Sequence, residues 1–224
     1  KMKMYNLDGS EGKMCGNGIR CVGKFLYDHG MVDINEKDEI TIETLSGIKK
    51  LKAYTSGGKV NRLRVDMGKA ILDPKEIPVV LDGDKVVDRP VEIAGKNYNI
   101  TCVSMGNPHC VVFMDDIDNL DIETVGPEFE NDKLFPERVN TEFVTVLDDH
   151  TIKMRVWERG SGETWACGTG ACAVAVAACE NGFCKKGEDI KIKLKGGDLI
   201  INYTDETVYM TGNAEKVFEG EVEV

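Results

Sequence analysis

The chain lacks several features that would place it in a class at once. It has no block of lysine and arginine, and its 28 basic and 39 acidic residues give a formal net charge of −11. No apolar run approaches the roughly 18 residues that a membrane-spanning helix needs, and no secretory signal peptide opens the chain. The sequence therefore argues against nucleic acid or a membrane surface as the main partner and predicts a cytoplasmic protein.

Signatures of metals and cofactors are also missing. The three histidines do not have zinc-ligand spacing, and no lysine is marked out as an anchor for pyridoxal phosphate. Residues 168–173 read G-T-G-A-C-A and fit the dinucleotide-binding pattern G-x-G-x-x-A, but no strand leads directly into them. We therefore expect neither a metal nor a cofactor.

Cysteine, in contrast, is plentiful. Eight cysteines would allow a disulfide framework, but a chain of 224 residues with 42% hydrophobic content does not depend on one. We expect most of these cysteines to be reduced.

Two cysteines lie in matching segments. Residues 14–21 read M-C-G-N-G-I-R-C, and residues 166–172 read A-C-G-T-G-A-C. Each segment opens a helical pattern that ends at a glycine, Gly30 or Gly182, at the same offset along the chain. A strand, a glycine turn and a second strand follow in both cases, which indicates two similar halves.

The rest of the sequence is mostly short alternating strands between turn residues. We predict an α+β protein of two pseudo-symmetric halves. Each half would be a curled, mostly antiparallel, barrel-like sheet around a central helix, with the active site in the cleft between the halves. We expect residues 1–61 plus 212–224 to form the first domain and residues 62–211 the second. Residues 121–129 are predicted as a short helix or a loop, and residues 216–224 as a final strand.

The positions of Cys15 and Cys167 predict acid–base chemistry. Unpaired N–H groups at a helix start favour negative charge, so a thiol there becomes a reactive thiolate. A thiolate and a thiol on opposite faces of a bound carbon would remove one proton and deliver another, which inverts a stereocentre. The Gly-x-Gly segments would let a carboxylate approach the backbone N–H groups. The alternative is that both cysteines are ordinary small apolar residues.

Other polar residues near these segments have two interpretations each. Glu158 and Arg159 would either bind charged groups of a substrate or form an exposed ion pair at a strand end. His109, in the turn G-N-P-H-C, would either assist a thiol or be structural. The asparagines in loops are typical of turns, and composition alone does not promote them.

Four motifs together resemble one known family, that of diaminopimelate epimerase. They are N-L-D-G-S-E-G-K-M-C-G-N-G-I-R-C at 6–21, M-G-N-P-H-C at 105–110, R-V-N at 138–140 and E-R-G-S-G-E-T-W-A-C-G-T-G-A-C at 158–172. The resemblance implies a cofactor-independent isomerase that interconverts LL- and meso-diaminopimelate, on the route to lysine and peptidoglycan. It also implies the two-domain fold, often as a homodimer.

Carried over by position, the resemblance implies that Cys15 and Cys167 are the acid–base pair, and that His109 and Glu158 support the thiols. In this family the amides and the Glu-Arg pair recognise the distal amino-acid end of the substrate, while the helix N-termini hold the reacting α-carboxylate. The implied substrate site is lined by Asn6, Gly16, Asn17, Asn107, Asn140, Glu158, Arg159, Gly168 and Thr169.

This sequence departs from the family pattern in one respect, and three alternatives to the epimerase function remain. The family normally begins with a further segment carrying a G-x-G-N-D-F-type motif, and without it the first half would lack strands and one substrate ligand. A truncated form that binds a small molecule without catalysis is therefore one alternative. Another two-cysteine racemase, such as proline racemase, is a second, although that family has a histidine where this chain has Asn17. A redox switch that joins Cys15 and Cys167 in a disulfide is a third.

Overall fold

The fold was analysed in a computed structural model of the chain. The structure describes residues 1–5, 9, 11–12, 14–34 and 38–222. These residues form three helices and twelve strands, which confirms the predicted α+β class. The chain divides into two compact units: unit 1 comprises Lys1–Val65 and Thr211–Val224, and unit 2 comprises Asp66–Met210.

Unit 1 contains one helix followed by a three-stranded antiparallel meander. The last of these strands carries the chain across the unit boundary. The elements are α1 (Gly16–Asp28), β1 (Glu39–Thr44), β2 (Gly47–Ser56) and β3 (Lys59–Gly68).

Helix α1 packs on this meander through a face that includes a glycine. Ile19 is fully buried. A Cβ at Gly23 would lie 2.8 Å from Cδ2 of Leu63 and 3.0 Å from Cδ2 of Leu51. The helix therefore approaches β2 and β3 more closely than any larger residue at position 23 would allow.

Unit 2 contains the other two helices and most of the strands. The helices are α2 (Ile122–Glu130) and α3 (Gly168–Glu180). The strands are β4 (Arg89–Ile93), β5 (Lys96–Ser104), β6 (Pro108–Phe113), β7 (Asn140–Asp148), β8 (Thr151–Glu158), β9 (Gly162–Thr164), β10 (Asp189–Leu194), β11 (Gly197–Tyr203) and β12 (Val208–Asn213).

The strands of unit 2 pair mostly antiparallel, as predicted. Their order is β12-β11-β10-β8-β7-β6-β5-β4, with β9 on β8. The pairs β6–β7 and β8–β10 are parallel, whereas β4–β5, β5–β6, β7–β8, β8–β9 and β10–β11 are antiparallel. The parallel pair places His109 opposite Asn140. The beginnings of β6 and β7 therefore lie side by side, and polar residues from both strands meet there.

Helix α3 is the central helix predicted for the second half. Its residues 171–178 are all fully buried, and the helix contacts β5, β6, β7, β10 and β11. A helix that is apolar on every side needs such enclosure, and its alanines let the strands approach closely. No helix within the described part of the chain is long and apolar enough to cross a membrane.

The repeat seen in the sequence is a repeat of local structure. Helices α1 and α3 both have 13 residues. Each is followed by a glycine in the left-handed region, Gly30 at φ 65° and Gly182 at φ 78°. The hairpins β1–β2 and β10–β11 then turn through two residues each, 45–46 and 195–196. The same succession of elements thus occurs once in each unit.

Some local predictions differ from the structure. Residues 216–222, predicted as part of a final strand, form no strand, and Val217 and Phe218 are highly exposed. Alternating residues without a neighbouring strand to pair with do not form a stable strand. Residues 223–224 lie outside the described residues. Helix α2 occupies the segment predicted as a short helix or a loop, and β9 was not predicted.

Candidate functional site

Cys15 and Cys167 occupy equivalent positions in their helices. Each is the N-cap residue and has extended backbone, with φ −130° and ψ 117° at Cys15 and φ −121° and ψ 109° at Cys167. The sulfur of Cys15 accepts a hydrogen bond from the N–H of Gly18 at 3.3 Å, and that of Cys167 accepts one from the N–H of Gly170 at 3.4 Å. Both thiols therefore face the positive end of a helix.

The two cysteines differ in burial. Cys15 is half-buried, whereas Cys167 is 5% exposed. Burial, together with the carboxylates of Glu158 and Glu142, raises the pKa of the Cys167 thiol well above its usual value. The expectation that a helix start makes a cysteine a thiolate therefore does not hold at Cys167, because desolvation outweighs the helix terminus. All eight cysteines of the chain are free of disulfide bonds.

The residues after each cysteine also correspond. Gly16 and Gly168 are buried, while Asn17 and Thr169 are half-buried at the same helical position. The Thr169 hydroxyl lies 3.5 Å from Sγ of Cys167. The Oδ1 atom of Asn17 is buried and has no hydrogen-bond partner among the described residues. Each helix start thus combines a thiol, a glycine and a polar side chain.

A chain of hydrogen bonds leads from Cys167 into the sheet. Asn107 donates through Nδ2 to the Thr169 hydroxyl at 3.3 Å, and its Oδ1 lies 3.1 Å from Nε2 of His109. The other ring nitrogen of His109, Nδ1, lies 2.7 Å from Oε1 of Glu142. Both members of this last pair are completely buried. The structure thus connects the Cys167 helix start with a buried histidine–carboxyl pair.

His109 differs from its prediction in position, and Glu142 was not predicted. His109 lies in strand β6 rather than in the preceding turn, because Pro108 already begins the strand. Glu142 lies in β7, where its neighbours Thr141 and Phe143 are buried. A lone carboxyl within a buried strand was the available sequence signal, since such a group needs a partner. Burial raises the pKa of Glu142, and the adjacent His109 opposes that rise.

Glu158 ends strand β8 and is half-buried. Its Oε1 accepts a hydrogen bond from the hydroxyl of Thr164 in β9. Its charge contributes to the raised pKa values of both Cys167 and Glu142. Strand β9, which the sequence did not predict, therefore fixes the carboxylate that acts electrostatically on the thiol.

Asn140 holds the backbone next to Arg159. Its Oδ1 accepts from the N–H of Arg159 at 3.0 Å, and its Nδ2 donates to the carbonyl of Pro108 at 3.0 Å. The side chain is 3% exposed. The guanidinium of Arg159 donates to the carbonyl of Glu137 at 2.8 Å. Asn140 thus ties the start of β6 to the end of β8, and Arg159 is anchored at both its backbone and its side chain.

The predicted site residues fall in two groups. Unit 1 holds Cys15, Gly16 and Asn17, and Asn6 lies outside the described residues. Unit 2 brings together Asn107, His109, Asn140, Glu158, Arg159, Cys167, Gly168 and Thr169.

Metal ligands were also sought among the residues that the structure describes. No group of three or more histidine, cysteine, aspartate or glutamate side chains among them is placed to hold a metal ion.

A cavity of about 370 Å³ in unit 1 lies away from this chemistry. It is formed by α1 beyond its first turn and by residues 214–216, and Cys15 does not line it. Its lining includes charged residues such as Lys24, Asp28 and Glu215, but none of the predicted site residues. We therefore do not include the cavity in the candidate site.

Comparison with known sequences gives a consistent family. The sequence pattern of the family described as diaminopimelate epimerase matches residues 1–72 and 101–217. Diaminopimelate epimerase of Agathobacter rectalis is 52% identical over 233 aligned residues, which cover 100% of this chain and 80% of that protein. Diaminopimelate epimerase of Acetivibrio thermocellus is 53% identical over 226 residues, which cover 100% of this chain and 79% of that protein.

Solved structures show the same fold at much lower sequence identity. A probable proline racemase from Agrobacterium radiobacter matches with a TM-score of 0.72 at 16% identity, covering 94% of this chain and 68% of that one. A phenazine biosynthesis protein of the PhzF family from Bacillus anthracis matches with a TM-score of 0.68 at 18% identity, covering 96% of this chain and 78% of that one. These likenesses concern the fold alone.

Proposed function

Because the chain belongs to the diaminopimelate epimerase family, we propose that it interconverts LL- and meso-diaminopimelate with Cys15 and Cys167 as its two acid–base groups. The observation that carries this proposal is the equivalence of the two cysteines. Each caps a helix and accepts a hydrogen bond from the N–H three residues further along. A reaction that removes a proton from one face of a carbon and adds one to the other needs two such groups.

The two compact units each supply one of the thiols. We take unit 1 and unit 2 as the two epimerase domains, since each contains one copy of the helix and hairpin that carry the cysteine motif. The chemistry requires the two sulfurs to reach opposite faces of the same α-carbon. The domain bounds expected from the sequence, 1–61 plus 212–224 and 62–211, stay a prediction.

The protonation of Cys167 sets the direction of the first turnover. Its raised pKa keeps it as the neutral thiol, so we assign Cys167 as the proton donor, which leaves the role of base to the second cysteine of the pair, Cys15. When Cys15 takes the α-proton, the electron pair of the broken C–H bond stays on the α-carbon and spreads onto the carboxylate. The proton of the Cys167 thiol then forms the new C–H bond on the opposite face. Reaction in the reverse direction starts from the opposite protonation of the two sulfurs.

The helix starts would bind the carboxylate next to the reacting carbon. In α3 the N–H of Gly170 is directed to the sulfur of Cys167, and the N–H of Ala171 to its carbonyl. The N–H groups of Gly168 and Thr169 precede these and have no acceptor within the helix. Gly16 and Asn17 are in the same position in α1. These fixed donors would stabilise the charge that develops on the carboxylate as the proton leaves.

The distal end of the substrate would be recognised by the remaining polar groups. Arg159 would bind the distal carboxylate, and Glu158 would bind the ammonium group while also assisting the thiol. Asn17 would offer its Oδ1, which has no hydrogen-bond partner within the described part of the chain, to an N–H of the ligand. Asn107 and Asn140 already use their amides within the protein, so they would line the site mainly by holding His109 and Arg159 in place. Asn6 stays a prediction from the family pattern.

The experiment that tests the function is a conversion assay. The purified chain is incubated with LL-diaminopimelate, and the stereoisomers are separated by chiral chromatography. We expect LL and meso forms to approach equilibrium without added metal or cofactor. L-Proline serves as the control substrate and should not racemise. Saturable binding of diaminopimelate without any conversion would favour the non-catalytic alternative.

We also propose that the enzyme acts in the cytoplasm as a homodimer, in lysine and peptidoglycan precursor biosynthesis. The support is its family membership and a strongly negative net charge, which favours a soluble protein over one bound to anionic surfaces. Light scattering after size-exclusion chromatography should give about twice the 24.7 kDa chain mass. A mass equal to that of one chain across the working concentrations would contradict the dimer.

A further inference from the structure

Glu142 has an unusual environment for a carboxyl group. Its side chain is completely buried, Oε1 lies 2.7 Å from Nδ1 of His109, and Oε2 has no hydrogen-bond partner among the described residues. Burying a carboxyl with so few hydrogen-bond partners opposes folding, and a functional role is one explanation for such a group in a folded protein. The arrangement therefore points to a role for the pair that Glu142 makes with His109.

The hydrogen bonds determine which ring nitrogen of His109 carries a proton. The Nδ2 group of Asn107 donates to Thr169, so Oδ1 of the same amide faces His109 as an acceptor. The Nε2 atom of His109 must therefore be protonated. One further proton lies between Nδ1 and Oε1 of Glu142. Whichever of these two atoms holds it, the pair has no net charge.

The pair lies directly against the start of α3. A Cβ at Gly170 would lie 2.5 Å from Oε1 of Glu142 and 3.2 Å from Sγ of Cys167. The carboxyl and the sulfur thus lie on the same side of the first helical turn. A second connection runs through hydrogen bonds, from His109 to Asn107, then to Thr169 and on to Cys167. Among the described residues Glu142 makes no hydrogen bond to the thiol, so its hydrogen-bonded connection to Cys167 runs through these other groups.

We propose that Glu142 is a positioning residue of the reaction. Its carboxyl shares one proton with His109, which keeps the Nε2–H of the imidazole directed at Asn107 and keeps that amide directed at Thr169 beside the reacting sulfur. The inference rests on the proposed function, since it assigns Glu142 to the chemistry of Cys167.

Among the described residues, three other titratable groups on the surrounding elements interact electrostatically with Glu142. They are Glu158 from β8, Cys110 from β6 and Cys167 from α3. When Cys167 gives up its proton during turnover, Glu158 already opposes the new negative charge. A Glu142 without its histidine partner would add a second opposing charge. A neutral Glu142–His109 pair avoids this, which is a reason for the shared proton.

Nitrogen NMR of His109 tests the proton assignment without any reference to activity. Replacing the exposed His29 and His150 by glutamine leaves His109 as the only imidazole of a ¹⁵N-histidine-labelled protein. We expect Nε2 to carry a proton and a second proton to be shared at Nδ1, because each ring nitrogen lies within hydrogen-bond distance of an oxygen, Oδ1 of Asn107 or Oε1 of Glu142. Glu142→Gln should remove the shared proton at Nδ1. An unprotonated Nε2, or a Nδ1 state unchanged in Glu142→Gln, would overturn the proposal.

Kinetics test the consequence for the reaction. Glu142→Gln should lower kcat about tenfold or more and change KM less than about twofold, since a carboxyl behind a catalytic histidine acts on its proton rather than on substrate binding. The pH profile of kcat should also change shape. Glu142→Asp keeps a carboxyl and should keep the profile of the unaltered enzyme at a lower kcat. Equal loss in both variants with unchanged profiles would indicate a structural role only.

A matched control lies at the other end of the same helix. Glu180 is a carboxyl with 11% side-chain exposure that pairs with Lys85 and Lys186, and it is remote in sequence from the first turn of α3. Glu180→Gln should leave kcat and its pH profile unchanged. If the unaltered protein does not epimerise diaminopimelate, the proposed function fails and the NMR result still decides the proton assignment. If it does epimerise and Glu142→Gln matches it in kcat and pH profile, only the present inference fails.

Discussion

Cys167 has the same backbone conformation and the same N–H···S hydrogen bond as Cys15, yet it is buried while Cys15 is half-exposed. Burial keeps the Cys167 thiol protonated, because desolvation disfavours the charged form and raises its pKa. A two-base reaction needs one protonated and one deprotonated group at its start. The burial of Cys167 thus supplies the protonated member of the pair.

The first prediction concerns the cysteines themselves. Cys15→Ser and Cys167→Ser should each lower kcat for epimerisation by about 10³-fold, since a hydroxyl replaces the positioned acid–base group. Serine is a good N-cap residue, so the melting temperature should change little. Cys21→Ser, at an exposed position on α1, is the control and should retain full activity. A Cys15→Ser enzyme with unchanged kcat would refute the assignment.

The second prediction concerns stability at alkaline pH. Burial raises the pKa of both Cys110 and Cys167 well above the usual value. Their contribution to stability is complete below the unfolded pKa of about 8.5 and is lost as pH rises from there towards the folded pKa values. Each of these thiols should reduce the free energy of unfolding by up to about 1.4 kcal/mol per pH unit in that window. Urea unfolding between pH 7 and pH 10 measures the slope.

The control for this slope is a variant that lacks one of the two thiols. Cys110→Ala should lower stability at pH 7, because it leaves a small cavity, but it should flatten the decline above pH 8.5. A decline of the same steepness in Cys110→Ala would show that this thiol does not ionise on unfolding in the expected window.

The third prediction compares two glycines at the same helical position. A Cβ at Gly170 would lie 2.5 Å from Oε1 of Glu142, whereas a Cβ at Gly18 would lie 3.2 Å from the flexible end of Met2. Gly170→Ala should therefore destabilise the protein by about 1–3 kcal/mol. Gly18→Ala should be neutral or stabilising by up to about 1 kcal/mol, because alanine favours the helix. Thermal unfolding of both variants measures this, and equal effects would contradict the packing described at Gly170.

The elements that the sequence predicts well are those with a local signal. The Cys-Gly segments, the helical spacing after them and the closing glycines Gly30 and Gly182 predict both central helices, and alternating residues predict most of the strands. Residues 216–222 show the limit of such patterns, since whether an alternating segment becomes a strand depends on a neighbour to pair with.

The parts of the site that escaped prediction depend on tertiary contacts. Glu142 meets His109 because β6 and β7 pair in parallel, and nothing near position 142 indicates that pairing. The acidity of Cys167 likewise depends on burial and on Glu158, so the helix start alone predicts the wrong direction for its pKa. The motifs thus identify the candidate catalytic residues, whereas the protonation states of those residues depend on tertiary packing.

The most direct test of the account follows the isotope during the first few per cent of conversion. LL-diaminopimelate is incubated with the enzyme in D₂O, and the reaction is stopped early. The two isomers are then separated, and the deuterium content of each is measured by mass spectrometry. Two acid–base groups predict meso product with one deuterium at the inverted carbon, together with recovered LL substrate that carries none. Product that retains its original hydrogen, or early deuterium in the recovered substrate equal to that in the product, would contradict a mechanism in which one cysteine removes the proton and the other replaces it.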